Sequence, residues 1–332
     1  MIFGKAAIPK ESVLLEKKIK EAAAIAISGH TSPDGDCVGA CLGLCTYIRD
    51  NYPEKTVDVY LEPIGEKFRF LTYADEIRQE KPADMKYDLY FSLDCSEPRR
   101  LGDFQTFFEE AFCKICIDHH ITNEGFGDMQ IIRPKASSTC EILFDLLDYE
   151  KISPACAQDL YLGIVHDTGV FKHNNTTRHV MEAAGALIEK GVKTDEIIDN
   201  TFYRKTYAQN QILGRALMES ILLLDGRMIF SVLSKKDMTI YGVNGSDLDG
   251  IIDQLRVTQG VECALLLYEK EERQYKASMR SNGKVDVSRI AMLLGGGGHV
   301  RAAGCTIEGQ PRDIVNHIAE QVEAQLVEAK AL

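Results

Sequence analysis

His30, Asp34 and Asp36 fall within seven residues, HTSPDGD, directly after the apolar run AAIAIS. Asp94 closes a second apolar run, YDLYFSLD, and Asp118, His119 and His120 close a third, KICIDHH. Asp167 stands in LGIVHDTGVF, with a glycine two residues on. Taken singly these are ordinary features: a DxD is usually a loop or a helix cap, and a lone aspartate is usually a turn residue. Their recurrence at successive strand ends gives them a shared site. Four or more carboxylates converging there would repel one another strongly without counter-charge, which two divalent cations supply. Mixed carboxylate and imidazole donors suit a transition metal better than calcium or magnesium alone. Two such ions about 3.5–4 Å apart can activate a water and stabilise the leaving oxygen of a phosphoryl transfer.

The elements that must bring these residues together are readable from periodicity. ESVLLEKKIKEA, CVGACLGLCTYIRDNY and DFQTFFEEAF read as helices; AAIAISGH, TVDVYLE, YDLYFSLDCSE, KICIDHH and MQIIRP read as strands. STCEILFDLLDYE and PACAQDLYLGIVHDTGVF add helices, and HNNTTRHVMEAAGALIEKG opens on threonines suited to capping. Strands alternating with helices predict an α/β fold with a mostly parallel, doubly wound sheet. Such sheets bind ligands beyond the carboxyl ends of their strands, where the aspartates and histidines fall.

A length of 332 residues favours two domains. Residues 1–192 form the expected metal-binding domain, and 193–220, polar and helical, the expected linker helix. Residues 221–332 form a smaller α/β domain, with strands in RMIFSVLS, ECALLLYEK and RQYKASMRS and a long terminal helix in DIVNHIAEQVEAQLVEA.

The formal net charge of -12 argues against wrapping long duplex nucleic acid, which Lys and Arg would have to hold. The ten cysteines show no paired CxxC array, and Cys113 and Cys116 lie three apart on one strand, pointing to opposite faces. They read as buried free thiols in a reducing cytoplasm. The first twenty residues lack the apolar core of a leader peptide, and no apolar run is long enough to span a membrane.

GGGGHVRAAG, residues 295–304, lacks the lysine and hydroxyl ending of a P-loop. Its glycines, Gly297 and Gly298 among them, permit close backbone approach and exposed N–H groups suited to an anion. His299 and Arg301 add a donor and a positive charge. Arg280 and Ser281, in SMRSN, are the expected grip on a terminal phosphate, since guanidinium matches phosphate with paired hydrogen bonds. Arg256 is a weaker candidate. His166 reads as a packing or supporting residue, and His173, His179 and His317 as ordinary surface or packing residues.

HTSPDGD, LDCSE, IDHH and GIVHDTG resemble, in order and spacing, the four motifs of the DHH phosphoesterase superfamily, over the first 170 residues. GGGGHVRAAG and SMRSN resemble the glycine-rich signature and a substrate-contacting strand of the DHH-associated domain. Together they look most like the NrnA-type nanoRNase/pAp phosphatase group. The resemblance implies two Mn2+, with another divalent transition metal or Mg2+ admissible. It implies that His30 and Asp34 hold one ion, that Asp36, His119 and Asp167 hold the other, and that Asp94 bridges them. His120 would meet the substrate phosphate or leaving group, and Asp118 would orient the histidines. The activity implied is hydrolysis of short oligoribonucleotides to mononucleotides, or removal of the 3′-phosphate of pAp, with the second domain clamping the far end of a short substrate. Hydrolysis of c-di-AMP or pApA is the main rival; an inorganic pyrophosphatase and a non-catalytic phosphate-ligand sensor fit less well. A homodimer is compatible with this reading.

Overall fold

The computed structural model describes residues 9–80, 82 and 85–331. The first eight residues, part of the stretch read as lacking a leader, lie outside the described residues. Contacts divide the chain into two compact units, one up to Arg204 and one from Lys205.

The first unit runs α1 (Lys10–Glu21), β1 (Ala24–Ser28), α2 (Gly35–Asn51), β2 (Thr56–Tyr60), β3 (Leu89–Leu93), α3 (Gln105–Glu110), β4 (Cys113–Asp118), β5 (Met129–Ile132), α4 (Thr139–Leu146), α5 (Pro154–Asp167), α6 (Arg178–Glu189) and α7 (Thr194–Ile198). A π-helical turn, Asp199–Tyr203, follows α7. The five strands form a parallel sheet in the order β2-β1-β3-β4-β5. Alternation along the strands explains the two layers. Ile25, Ile27, Leu89, Phe91, Leu93, Ile115 and Ile117 face the core shared with α2, α4 and α5. Ala26 and Tyr90 face the opposite side, packed with Phe104 and Phe108. Both faces are covered, as a parallel sheet requires.

Chain order reverses between β1 and β3, because β2 lies on one side of β1 and β3 on the other. A crevice opens at such a point. His30 follows β1 there and Asp94 follows β3, with Asp118 ending the neighbouring β4.

The small residues of CVGACLGLC decide how closely α5 approaches α2. A Cβ on Gly39 would stand 2.5 Å from the Asp159 carbonyl of α5, and one on Gly163 2.5 Å from Asp36 Oδ1 of α2 and 2.3 Å from the Cys140 sulfur of α4. Glycine at these positions lets the helices lie in near-backbone contact. The start of α2, carrying Asp36, thereby meets the end of α5, carrying Asp167.

The second unit contains α8 (Tyr207–Met218), β6 (Ile221–Leu223), β7 (Met228–Leu233), α9 (Lys235–Tyr241), α10 (Ile251–Arg256), β8 (Cys263–Glu271), β9 (Gln274–Ser281), α11 (Val287–Leu293), β10 (Gly297–His299), β11 (Ala302–Glu308) and α12 (Pro311–Ala331). Its sheet is mixed, in the order β10-β11-β9-β8-β7-β6, with β7 and β8 parallel. One face buries Leu265, Leu267, Ala277 and Met279 with Ile318 and Val322 of α12. The other buries Ala264 and Leu266 with Leu255 of α10. Residues 193–220, expected as a linker, are helical but divide between the units. Ile212 and Ala216, one helical turn apart, are buried in the second unit despite the polar composition around them.

Candidate metal centre

Three loops and two helix ends converge in the first unit. Asp34 caps α2, its Oδ1 accepting from the backbone N–H of Asp36 and Cys37, both at 3.1 Å. Its other oxygen, Oδ2, lies 3.8 Å from His30 Nε2. His30 Nδ1 lies 2.8 Å from the Thr31 carbonyl and donates to it. That bond fixes the tautomer and leaves the Nε2 lone pair for a ligand, the usual arrangement of a metal-binding histidine.

Asp94 sits at the centre. It is 1% exposed, with a left-handed φ of 52°, which aspartate tolerates better than most residues. Its Oδ2 lies 3.5 Å from His30 Nε2, and its Oδ1 lies 3.4 Å from His119 Nε2. One oxygen thus faces each half of the cluster. His119 Nε2 is also 3.1 Å from Asp167 Oδ2 and 3.9 Å from Asp36 Oδ2.

These separations fit cations. With metal–ligand bonds of about 2.1 Å, neighbouring ligand atoms stand roughly 3.0–3.5 Å apart, so small adjustments close a coordination shell. Groups able to hold an ion include Asp36, His119 and Asp167, and also Asp94, His119 and His120.

The electrostatics point the same way. Burial pushes the Asp36 carboxyl up to about 7, with Asp94 adding to the effect. Burial, Asp36 and Asp94 push Asp167 up to about 9. For His30, burial works downward, but Asp34 and Asp94 outweigh it and hold the imidazole at about 11. His119 is held at about 10 in the same way, chiefly by Asp94 against burial. Burial would raise Asp94, yet His119 and His30 keep it well below the ordinary carboxylate range. Without cations the cluster retains protons, because so many buried carboxylates require positive charge among them.

Asp118 plays a different part. Its Oδ1 accepts from the His119 backbone N–H at 2.9 Å and from His120 Nδ1 at 2.7 Å, and its Oδ2 accepts from Asn123 Nδ2 at 2.7 Å. Both its oxygens shape the turn after β4. His120 is thereby oriented with Nε2 as its remaining ring nitrogen.

Sequence reasoning overlooked the start of α4. The Thr139 and Cys140 backbone N–H groups donate to Asp36 Oδ2 and Oδ1 at 2.6 and 3.0 Å, and Thr139 Oγ1 donates to Asp94 Oδ1 at 3.1 Å. This helix N-terminus, capped by Ser138, therefore orients two of the central carboxylates. The signal was the cap itself, Ser138 with Glu141 three residues on, in SSTCE. Cys37 also lies among ligand-type atoms with His30 and Asp94. Burial pushes its thiol well above the ordinary range, and its Sγ donates weakly to the His30 carbonyl at 3.9 Å. His166 donates to Thr201 Oγ1 at 2.9 Å; burial holds it at about 4 and so neutral.

The residues expected in the second unit are partly together. His299 pairs with Ala302, and Ala302 with Arg280, so His299 and Arg280 flank one small residue on one face of the sheet. The Ser281 N–H donates to the Arg301 carbonyl at 2.9 Å, which places Arg301 at the same corner. One expectation needs correction. Ser281 cannot stand beside Arg280 in a grip, because consecutive strand residues face opposite ways; it is 2% exposed, and its Oγ accepts from the Gly283 N–H. The glycine-rich block runs through an exposed edge strand. Gly297 and Gly298 lie in edge strand β10, where a Cβ on Gly298 would stand 2.5 Å from the Ala302 carbonyl. Glycine is needed there for close strand pairing. Arg256 is engaged with Asn282.

Residues 24–164 match the DHH family N-terminal domain and residues 226–328 the DHHA1 domain. Over 313 residues the chain is 31% identical to the bifunctional oligoribonuclease and PAP phosphatase NrnA of Thermus thermophilus, covering 92% of this chain and 91% of that one. The chain belongs to the NrnA group of the DHH family. NrnA of Bacillus subtilis is 26% identical over 288 residues, covering 85% and 89% of the two chains. The crystal structure of an exopolyphosphatase-related protein from Bacteroides fragilis shares this DHH fold, with a TM-score of 0.88, 25% identity, and coverage of 99% of this chain and 100% of that one. Among the described residues of this DHH protein, no helix is long and apolar enough to cross a membrane.

Proposed function

We propose that the chain is a metal-dependent phosphoesterase that hydrolyses short oligoribonucleotides to mononucleotides and removes the 3′-phosphate of pAp. The observation that carries this reading is the division of Asp94, whose two oxygens face His30 and His119 separately. In this reading His30 and Asp34 would hold one divalent ion, preferably Mn2+. Asp36, His119 and Asp167 would hold a second, and Asp94 would serve both. Such ions supply Lewis acidity for activating water and neutralising charge on phosphoryl oxygens. The chain's own residues do the positioning. Thr139 and Cys140 aim Asp36, and Thr139 aims Asp94. Asp118 holds His120 so that its Nε2 can donate to the leaving oxygen of the substrate. Arg280, His299 and Arg301 of the second unit are the proposed contacts for a substrate phosphate.

The test is turnover in Mn2+ of pAp, pApA, c-di-AMP, a five-nucleotide RNA and pyrophosphate at equal concentration. pAp and the short RNA are expected to be the preferred substrates. Preference for c-di-AMP or pyrophosphate would replace the substrate assignment. Asp94→Ala should abolish turnover while the chain stays folded; turnover within a few-fold of wild type would remove the central role of this carboxylate.

A further inference from the structure

The glycine of HTSPDGD separates two proposed metal ligands, and the structure gives a reason for it outside the metal cluster. The His166 imidazole lies directly against Gly35. A Cβ on that glycine would stand 2.2 Å from His166 Cγ and 2.5 Å from Nδ1, so no larger residue fits while the ring keeps its place.

The ring is held from three sides. Phe68 packs on it at 5.4 Å between centroids and Phe202 at 5.7 Å, both edge to face. Nε2 lies 2.9 Å from Thr201 Oγ1. The Thr201 hydroxyl hydrogen is already given to the Ile197 carbonyl at 2.8 Å, so the threonine oxygen accepts and the imidazole donates. Thr201 and Phe202 both belong to the π-helical turn Asp199–Tyr203, which ends one residue before the end of the first unit. Single π-helical turns recur at functional sites because their irregular ladder re-aims side chains.

We propose that His166 is a positioning residue. Its ring buttresses Gly35, sets how Asp34 and Asp36 are presented, and transmits the placement of the Asp199–Tyr203 turn to the metal centre. The inference rests on the metal-dependent reading above and adds to it a supporting residue that contacts neither metal nor substrate. It assigns a purpose to the side chain next to Asp167 and to the glycine inside DGD together. Supporting residues of this kind typically alter metal affinity by about 10- to 100-fold when removed.

The experiment is Mn2+ titration of the purified full chain, with free Mn2+ followed by electron paramagnetic resonance and the melting temperature measured alongside. His166→Ala is expected to weaken Mn2+ binding by about tenfold or more. Thr201→Val keeps the ring contacts and core volume but removes the acceptor, and should weaken binding in the same direction by a smaller factor. His166→Gln, which retains an N–H able to reach Thr201, should recover part of the loss. If His166→Ala does not fold, Thr201→Val still decides the matter. Mn2+ affinity within about twofold of wild type in both Thr201→Val and any folded His166→Ala would overturn the positioning role. A folded wild-type chain that binds no Mn2+ would instead refute the metal reading on which the proposal stands.

Discussion

Replacing Gly163 with alanine adds one methyl group to the middle of a helix, where alanine is ordinarily favoured by about 1 kcal/mol. Here the methyl carbon would lie 2.5 Å from Asp36 Oδ1 and 2.3 Å from Cys140 Sγ. Ordinary contact is about 3.5 Å, so α5 and the start of α4 or α2 must part by roughly 1 Å. Overpacking of this kind costs about 1–3 kcal/mol, and the helix preference offsets about 1 kcal/mol of it. A net loss below about 2 kcal/mol lowers Tm by less than about 8 °C in a domain of this size. The effect on turnover is expected to be larger, because a 1 Å misplacement at a reacting centre costs about 100-fold, or ~2.7 kcal/mol of barrier. The assay is kcat for pAp at saturating Mn2+, with thermal melting in parallel. Gly185 is the control: nothing lies within 4 Å of its would-be Cβ on α6. Gly185→Ala should raise stability by about 0.5–1 kcal/mol and leave kcat unchanged. If Gly163→Ala keeps kcat within about threefold of wild type, the claim that helix contact positions Asp36 is wrong.

Thr139→Val keeps the shape and the backbone donor to Asp36 but removes the hydroxyl donor to Asp94. It should cost about 1 kcal/mol of stability and lower kcat by about tenfold, measured by melting and initial rates. Asp159 is fully buried against Thr46, which donates to its Oδ2, while its Oδ1 has no partner among the described residues. Burial raises its carboxyl well above the ordinary range. An acid raised in this way binds more protons folded than unfolded. Its contribution is complete below the unfolded value of about 3.9 and is lost as pH climbs towards the folded one. Asp159→Asn should therefore stabilise the protein increasingly between pH 5 and pH 8, by up to about 1.4 kcal/mol per pH unit, read from urea midpoints at each pH; an offset independent of pH would contradict the buried neutral acid.

Much of the first unit's sheet was legible in the sequence. The strands leading to Asp94 and Asp118 are short apolar runs bounded by polar residues, and the parallel sheet follows from their alternation with helices. The second unit was less legible. Its β10 and β11 are built from small residues, GGH and AAGCTIE, without a strong apolar signature. Period-two alternation would also have separated Arg280 from Ser281, since β9 alternates half-buried and buried along its whole length. In α8, two buried residues among polar ones, Ile212 and Ala216, gave too narrow a stripe to reveal that it packs into a core.

The sequence by itself determined which groups could act: the carboxylates and imidazoles at strand ends, and the family whose motifs they spell. Local chemistry suffices for that, because ligand type and strand-end position are both properties of short stretches. Tertiary structure decided which of these groups share an atom-scale space and what holds them there. Thr139 reaches Asp94 across 45 residues, Thr139 and Cys140 reach Asp36 across more than 100, and His166 meets Gly35 only because glycines let α5 lie against α2. Packing of distant helices sets those distances, and no periodicity within a single segment encodes them.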